Sequence, residues 1–176
     1  GATHQCIEDF ALMRSIPGMM VLCPCDGNEM KLAVEALLNY EGPAYMRLGR
    51  LAVDTVTDSI PGYKFELGKG VQLREGSDVS LWAIGTMVES ATKLADKLAE
   101  QGIIAGVVNM RFAKPIDKEL LLAHANKYKK LVTLEEGVLQ GGVGSAVLET
   151  LNEAQLLGTC KVLNFGIPDE FILHGD

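Results

Sequence analysis

Aromatic side chains, cysteines, basic clusters and long apolar runs are all scarce in this sequence of 176 residues. Aromatic residues make up 6% of it, and its four cysteines are irregularly spaced, which argues against the disulfide framework of a small secreted domain. No apolar run approaches the roughly 20 residues that a membrane-spanning helix needs. The formal net charge is −7 and no Lys/Arg cluster is longer than Lys129 and Lys130. We therefore expect neither nucleic acid nor a membrane as a partner.

The rest of the composition is that of an ordinary globular protein, with 48% hydrophobic and 22% charged residues. The sequence starts at Gly1 without an initiator Met or a secretory signal, so we expect a cytoplasmic protein whose natural N-terminus lies further upstream. Cys23 and Cys25 are separated by a single proline, which is tighter than zinc-ligand spacing, and no second pair follows. We predict small buried side chains there and no metal site.

Short β-rich runs alternate with amphipathic helical segments along the chain, which is typical of α/β proteins. In residues 1–50 this pattern predicts a helix that ends before Pro17, strands over 19–22 and 44–48, and a helix capped by Asp26 between them. Two strands and two helices cannot close a doubly wound sheet. We therefore interpret residues 1–50 as the back half of a domain whose front half lies elsewhere.

Periodicity fades over residues 51–68, which we predict to be a linker. Beyond it the pattern predicts strands over 79–84, 104–110, 131–134 and 161–165. Helices are predicted to begin with a capping box at Thr86, at Asp117, near Gly144 and at Pro168. Strands joined by helical crossovers pair in parallel, so residues 69–176 are predicted to form a three-layer αβα domain with a mostly parallel sheet.

Three places could carry chemistry. His4 lies on a loop before a helix, where an imidazole can exchange protons with a substrate. Arg47 and Arg50 follow a strand, at the end of the sheet where ligands bind, and a guanidinium there suits a phosphate or an internal salt bridge. Strand alternation sends the two arginines to opposite faces, so at most one should reach a given site.

The third place is the glycine-rich stretch Gly141-Gly142-Val143-Gly144, which follows two acidic residues, Glu135 and Glu136. It lacks the lysine of a P-loop, and the carboxylates would repel phosphate. Close backbone packing or a subunit contact is the better interpretation. For His124 and His174 a packing or surface role is the default.

Several ordered motifs resemble the thiamin-diphosphate-dependent transketolase family over nearly the whole chain. Gly1-Ala2-Thr3-His4-Gln5 and Asp26-Gly27-Asn28-Glu29 are similar to its pyrimidine-binding domain. Its C-terminal domain is similar to the segments Arg111 to Asp117, Glu135-Glu136-Gly137 and Gly166-Ile167-Pro168-Asp169. The resemblance implies a partial pyrimidine-binding αβα domain over 1–50 and a transketolase C-terminal domain over 69–176.

The resemblance also implies roles for residues and partners. His4 matches the histidine that stabilises or protonates a substrate oxygen, and Arg50 matches the arginine that binds the phosphate of a sugar acceptor. Thiamin diphosphate and Mg²⁺ would be bound mostly by segments absent from this chain, so that no cofactor-binding residue is expected here and the chain alone should be inactive. The implied assembly is a homodimer that also contains an N-terminal segment or subunit with the diphosphate-binding domain.

The implied reaction is transfer of a two-carbon unit from a ketose or 2-oxo acid to a phosphorylated aldose. Three alternatives stay open. One is a deoxyxylulose-phosphate synthase, which uses pyruvate and glyceraldehyde 3-phosphate. Another is the β subunit of a 2-oxo acid dehydrogenase. The third is a non-catalytic interaction module that keeps the fold without the chemistry.

Overall fold

A computed structural model describes residues 6–50 and 52–173 of the chain. Within these residues, no helix has both the length and the apolar character needed to cross a membrane. The helices are α1 (Asp9–Ser15), α2 (Gly27–Leu37), α3 (Met87–Ala99), α4 (Lys118–Tyr128) and α5 (Val143–Glu153). The strands are β1 (Met20–Leu22), β2 (Ala44–Met46), β3 (Val71–Arg74), β4 (Val79–Ala83), β5 (Ala105–Asn109), β6 (Phe112–Lys114), β7 (Lys130–Val138) and β8 (Lys161–Ile167).

The larger sheet has five strands in the order β3-β5-β4-β7-β8. β4, β5, β7 and β8 run parallel, and β3 joins the edge antiparallel to β5. α3 packs on one face of this sheet, whereas α4 and α5 pack on the other. The predicted α/β class and the three-layer αβα arrangement with a mostly parallel sheet are thus confirmed.

Alternation along β4 explains how the two layers of the core form. Leu81 and Ala83 point towards α3 and join one buried apolar cluster, whereas Trp82 belongs to the cluster under α4 and α5. Because successive side chains of a strand point to opposite faces, one short apolar strand serves both layers.

The helix starts show where local sequence signals worked and where they did not. The carboxylates of Asp26 and Asp117 accept hydrogen bonds from the backbone N–H groups of Glu29 (2.8 Å) and Leu120 (3.1 Å), so both predicted caps are confirmed. The capping box at Thr86 was a wrong prediction, because its hydroxyl donates to Glu136 Oε2 at 3.0 Å instead. A helix start at Pro168 was also wrong, since residues 168–173 are not helical.

His124 lies in the core, on the face of α4 that packs against the large sheet. Its Nδ1 is 2.9 Å from Ser80 Oγ, which also accepts from Trp82 Nε1 at 2.9 Å, and its Nε2 is 3.2 Å from Gln72 Oε1. Burial lowers the pKa of His124, so the neutral imidazole is favoured. This serine–histidine pair is closed to solvent and serves packing.

The smaller sheet combines strands from both ends of the chain, in the order β2-β1-β6. β1 pairs parallel with β2 and antiparallel with β6, with Leu22 opposite Phe112. The sequence pattern does not indicate β6, which is only three residues long. Because β6 comes from the second unit, residues 1–50 contribute two strands to a sheet that residues 69–176 complete.

A buried ion pair joins the two units. Arg111 Nε lies 2.6 Å from Glu29 Oε1, and both side chains are almost fully buried. The Glu29 carboxylate also accepts from Asn109 Nδ2 (2.9 and 3.0 Å), the Tyr63 hydroxyl (2.6 Å) and the Cys25 N–H (2.8 Å). Its charge is therefore surrounded by donors, which is the condition under which a buried carboxylate is tolerated.

Arg111 extends this contact to the segment between the units. Its guanidinium carbon lies 4.9 Å from the ring centroids of both Tyr63 and Phe65. Its Nη2 donates to the carbonyl of Lys64 at 2.7 Å. The backbone of Arg111 has φ of 58°, a left-handed conformation uncommon for a side chain of this size. The geometry fits a residue held by its contacts on several sides.

The Glu29→Gln substitution should strongly destabilise the chain. It leaves the Arg111 charge buried without its counter-ion, for which we expect a loss of about 3–5 kcal/mol in the free energy of unfolding, measured by urea denaturation. The matched control is Glu153→Gln, which removes an exposed partner of Lys118 at 3.3 Å and should cost less than about 1 kcal/mol. Equal losses in the two variants would contradict the central role of the buried pair.

Candidate functional site

The segment after β2 places Arg47 between the two units. Arg47 Nε lies 3.4 Å from Asp9 Oδ2, and its guanidinium carbon is 4.7 Å from the centroid of the Phe10 ring. Both partners are buried residues of α1. The charge of Arg47 is therefore paired with Asp9 inside the protein. This agrees with the interpretation of the arginine as a member of an internal salt bridge.

Asp9 is the buried anchor of this cluster. Its Oδ2 accepts a hydrogen bond from the Tyr45 hydroxyl at 2.8 Å, and burial together with this bond raises the pKa of Tyr45 to about 12. Its Oδ1 is buried and has no hydrogen-bond partner within residues 6–50 and 52–173. Tyr45 and Arg47 are two residues apart on an extended segment, so they share a face and reach the same carboxylate. That spacing is the signal by which the cluster could have been found in the sequence.

Arg50 has the opposite environment, because it lies at the protein surface. Gly49 brings this segment against the start of α3, where a Cβ on residue 49 would lie 2.4 Å from Cγ2 of Thr86. Only glycine permits this approach without displacing Thr86. The two arginines thus face different surroundings, with Arg47 directed inward and Arg50 exposed.

A cavity of about 340 Å³ opens beside Gly49. Its walls come from the start of α2, from residues 48–53 and from Thr86; they are Pro24, Cys25, Asp26, Gly27, Met30, Leu48, Gly49, Ala52, Val53 and Thr86. Its one charged group, the carboxylate of Asp26, already accepts from the N–H groups of Val56 (2.9 Å) and Thr57 (2.8 Å). The cavity is large enough for a small molecule, and two exposed cations, Lys31 and Arg50, directly follow its lining residues Met30 and Gly49 along the chain.

The glycine-rich turn is filled by the protein itself. The carboxylate of Glu135 accepts from the N–H groups of Val143 (2.7 Å) and Gly144 (2.8 Å) at the start of α5. Burial raises the pKa of Glu135, and these bonds oppose that rise. A Cβ on Gly142 would lie 2.4 Å from both Glu135 Oε2 and the carbonyl of Val138. The prediction of close backbone packing is confirmed, and the first two amides of α5 are already bonded to Glu135.

Helix α1 docks on the glycine-rich turn. Arg14 donates to the carbonyls of Gly141 and Gly142 and pairs with Glu149 at 2.6 Å. Val138 donates its N–H to the carbonyl of Ile7 at 2.9 Å. His4 itself and His174 lie outside the described residues.

No group of three or more potential metal-ligating side chains occurs in the part of the chain that the structure describes. Cys23 and Cys25 are buried free thiols, and burial raises the pKa of both, that of Cys23 to about 12. Such thiols are inert, which agrees with the predicted packing role.

Two family models match the chain. The model described as the transketolase C-terminal domain matches residues 68–176, and the model described as the transketolase pyrimidine-binding domain matches residues 1–55. Together they account for most of the sequence.

Similar curated proteins include the 1-deoxy-D-xylulose-5-phosphate synthases of Pelotomaculum thermopropionicum and Heliobacterium modesticaldum. The first is 44% identical over 100% of this chain and 28% of its own length. The second is 42% identical over 99% of this chain and 27% of its own length. The chain thus spans about a quarter of the length of these relatives.

Solved structures with a similar fold include one described as a split-gene transketolase, an inactive β4 tetramer. It has a TM-score of 0.90 and 43% identity, over 97% of this chain and 55% of its own. A transketolase from Pichia stipitis has a TM-score of 0.70 at 24% identity, over 97% of this chain and 24% of its own. This second likeness concerns the fold alone.

Substitution of Gly142 by Ala should destabilise the chain. The added Cβ would collide with the Val138 carbonyl, which is backbone and cannot turn away, as well as with Glu135. We expect a loss of about 1–3 kcal/mol in unfolding free energy, measured by urea denaturation. Gly158→Ala is the control, because a Cβ there meets nothing within 4 Å, and its effect should stay within about 0.5 kcal/mol. A neutral Gly142→Ala variant would show that the turn is not closely packed.

Proposed function

This chain belongs to the transketolase family, and on that premise we propose that it forms part of a thiamin-diphosphate-dependent transferase. The proposed reaction moves a two-carbon unit from a ketose or 2-oxo acid donor to a phosphorylated aldose acceptor. The observation that carries the proposal is the contrast between the two arginines after β2. Arg47 is engaged with Asp9 and Phe10 inside the protein, whereas Arg50 is exposed and directly follows Gly49, which lines the cavity.

In its most specific form, the proposal is that of a deoxyxylulose-phosphate synthase. Relatives 42% and 44% identical over essentially the whole chain carry that name. The donor would be pyruvate, and the acceptor glyceraldehyde 3-phosphate. The second candidate is a split transketolase, because a protein with that description is 43% identical and has nearly the same fold. Both candidates share a phosphorylated acceptor, so the same role is proposed for Arg50 in each.

We propose that Arg50 binds the acceptor phosphate and that His4 donates a proton or a hydrogen bond to a reacting substrate oxygen. A guanidinium holds a phosphate through two parallel charge-assisted hydrogen bonds, which fixes both its position and its orientation. An imidazole titrates near neutral pH and can give and take a proton within one reaction cycle. Support for the role of His4 comes from the resemblance of Gly1-Ala2-Thr3-His4-Gln5 to the family's pyrimidine-binding domain.

The cofactor is proposed to be thiamin diphosphate with Mg²⁺, held mainly by segments that this chain does not contain. The filling of the glycine-rich turn by Glu135 supports this division. The proposed assembly is a homodimer together with an N-terminal segment or subunit that carries the diphosphate-binding domain. The description of the split-gene neighbour as an inactive β4 tetramer supports a polypeptide of this kind that self-associates without activity.

The division of the cofactor site is tested by calorimetric titration with thiamin diphosphate and Mg²⁺. We expect no saturable heat with the 176-residue chain. The complete product of the source gene, purified with any co-purifying subunit and checked by intact mass, should show saturable binding. Tight binding by the chain alone would contradict the proposed division. Failure of the complete protein to bind would contradict the enzymatic function altogether.

The substrate roles are tested in that complete protein. Arg50→Ala should raise the KM for a phosphorylated acceptor about 10- to 100-fold with a smaller effect on kcat, because a charge-assisted hydrogen bond contributes about 1.5–3 kcal/mol. His4→Ala should lower kcat about 100-fold or more. Release of CO₂ from pyruvate separates the synthase from a ketose-dependent transketolase.

Lys97→Ala is the matched control, because Lys97 is an exposed cation in the last turn of α3 that neither lines the cavity nor adjoins a residue that does. It should leave both constants unchanged. A non-phosphorylated aldose provides the second control for Arg50. If Arg50→Ala impaired phosphorylated and non-phosphorylated acceptors equally, a role in binding phosphate would be ruled out.

A further inference from the structure

The segment that carries Arg50 leaves the smaller sheet and meets the second unit just before it reaches Arg50. Arg47 donates its N–H to the carbonyl of Leu22 at 2.9 Å, which continues the pairing of β2 with β1. Two residues later, Gly49 lies against Thr86, which joins β4 to α3. Arg50 therefore directly follows a contact between the two units.

Gly49 is needed at this contact for space and not for its backbone conformation. Its φ is not positive, so an alanine can adopt the same backbone. A Cβ on residue 49 would nevertheless collide with Cγ2 of Thr86, whereas the next nearest atom, Thr86 Cβ, would be 3.9 Å away. A single methyl group of Thr86 thus limits how closely the segment approaches the second unit.

The methyl group of Thr86 is held in place by the hydroxyl of the same side chain. That hydroxyl donates a hydrogen bond to Oε2 of Glu136, on β7, at 3.0 Å. Because methyl and hydroxyl share one Cβ, a change of χ1 that moved the methyl away from residue 49 would also break the bond to the carboxylate. Thr86 is therefore a fixed support and not a side chain that yields to its neighbour.

The contact at Gly49 adjoins the buried attachment of the same segment at Arg47. Arg47, Gly49, Thr86 and Glu136 all line one cavity of about 10 Å³, which has room for one water molecule at most. The segment is held at Arg47 by Asp9 and at Gly49 by Thr86. These two attachments fix the backbone that leads into Arg50.

We infer that Thr86 is a positioning residue for Arg50, because its contact with Gly49 sets where the next residue along the chain lies. The inference rests on the proposed function, in which Arg50 binds the phosphate of the acceptor. A guanidinium holds a phosphate through two directed hydrogen bonds, so a shift of its backbone weakens binding without removing the charge. The second unit thereby contributes to acceptor binding through Thr86.

Acceptor kinetics of the complete protein, purified with any co-purifying subunit, test this role. We expect Gly49→Ala to raise the KM for a phosphorylated acceptor about 3- to 10-fold, less than Arg50→Ala does, because the guanidinium is displaced and not lost. kcat and the KM for a non-phosphorylated aldose should change less than about twofold. A general loss of structure would impair both acceptors alike.

Thr86→Ser provides a conservative rescue of Gly49→Ala. Serine keeps the hydroxyl for Glu136 and lacks the methyl that the new Cβ would meet, so the double variant should return the KM to within about twofold of the unsubstituted protein. Gly158→Ala is the control, because a Cβ there meets nothing within 4 Å, and it should leave the KM unchanged.

Thr86→Ala is a second test that does not depend on the folding of Gly49→Ala. It removes both the methyl support and the bond to Glu136, and we expect the KM for the phosphorylated acceptor alone to rise about 2- to 5-fold. An equal effect on phosphorylated and non-phosphorylated acceptors would overturn the positioning role.

Arg50→Ala, measured alongside, separates the inference from the function on which it rests. If Arg50→Ala raises the KM for the phosphorylated acceptor but Gly49→Ala does not, or if Thr86→Ser fails to reverse the effect of Gly49→Ala, the role of Thr86 is refuted and that of Arg50 stands. If Arg50→Ala leaves this KM unchanged, the proposed role of Arg50 fails, and the role of Thr86 fails with it.

Discussion

The ion pair between Glu29 and Arg111 is the interaction on which the arrangement of this molecule depends. Its two members are 82 residues apart and belong to different units of the chain. Each would be a costly buried charge without the other, since removal of an ion from water is repaid only by a close partner and full hydrogen bonding. Asn109, Tyr63 and the backbone of the connecting segment complete that shell. The two units and the segment between them therefore fold as one structure.

The contact between the two units covers the carboxyl ends of the strands in the large parallel sheet. In open α/β sheets that edge is the usual site of a ligand. Here the segment around Cys23 occupies it: Cys23 donates its N–H to the carbonyl of Arg111 at 2.8 Å. A Cβ on Gly85, which has φ of 58°, would lie 2.4 Å from Cys23 Sγ. The second unit thus uses its ligand edge to hold the first unit.

The sequence predicted those parts of the fold that depend on neighbouring residues. Periodicity and the caps at Asp26 and Asp117 located most helices and strands, because such signals act within one turn. It did not predict β6, which is stabilised by pairing with a strand about 90 residues earlier, nor the Glu29–Arg111 pair. The capping box at Thr86 failed because Glu136, 50 residues away, competes for its hydroxyl. Long-range partners leave no local pattern.

The same distinction between local signals and long-range contacts applies to the candidate site. Strand alternation correctly indicated that Arg47 and Arg50 would differ, but which of them stays exposed depends on Asp9 and Phe10, which only the tertiary structure brings to Arg47. The placement of His4 is a prediction from resemblance. Glu135 adds an electrostatic constraint, because its carboxylate takes the amides at the start of α5 that would otherwise attract an anion. Of the features considered as anion sites, this leaves Arg50, whose side chain is exposed, as the group proposed to bind a phosphorylated acceptor.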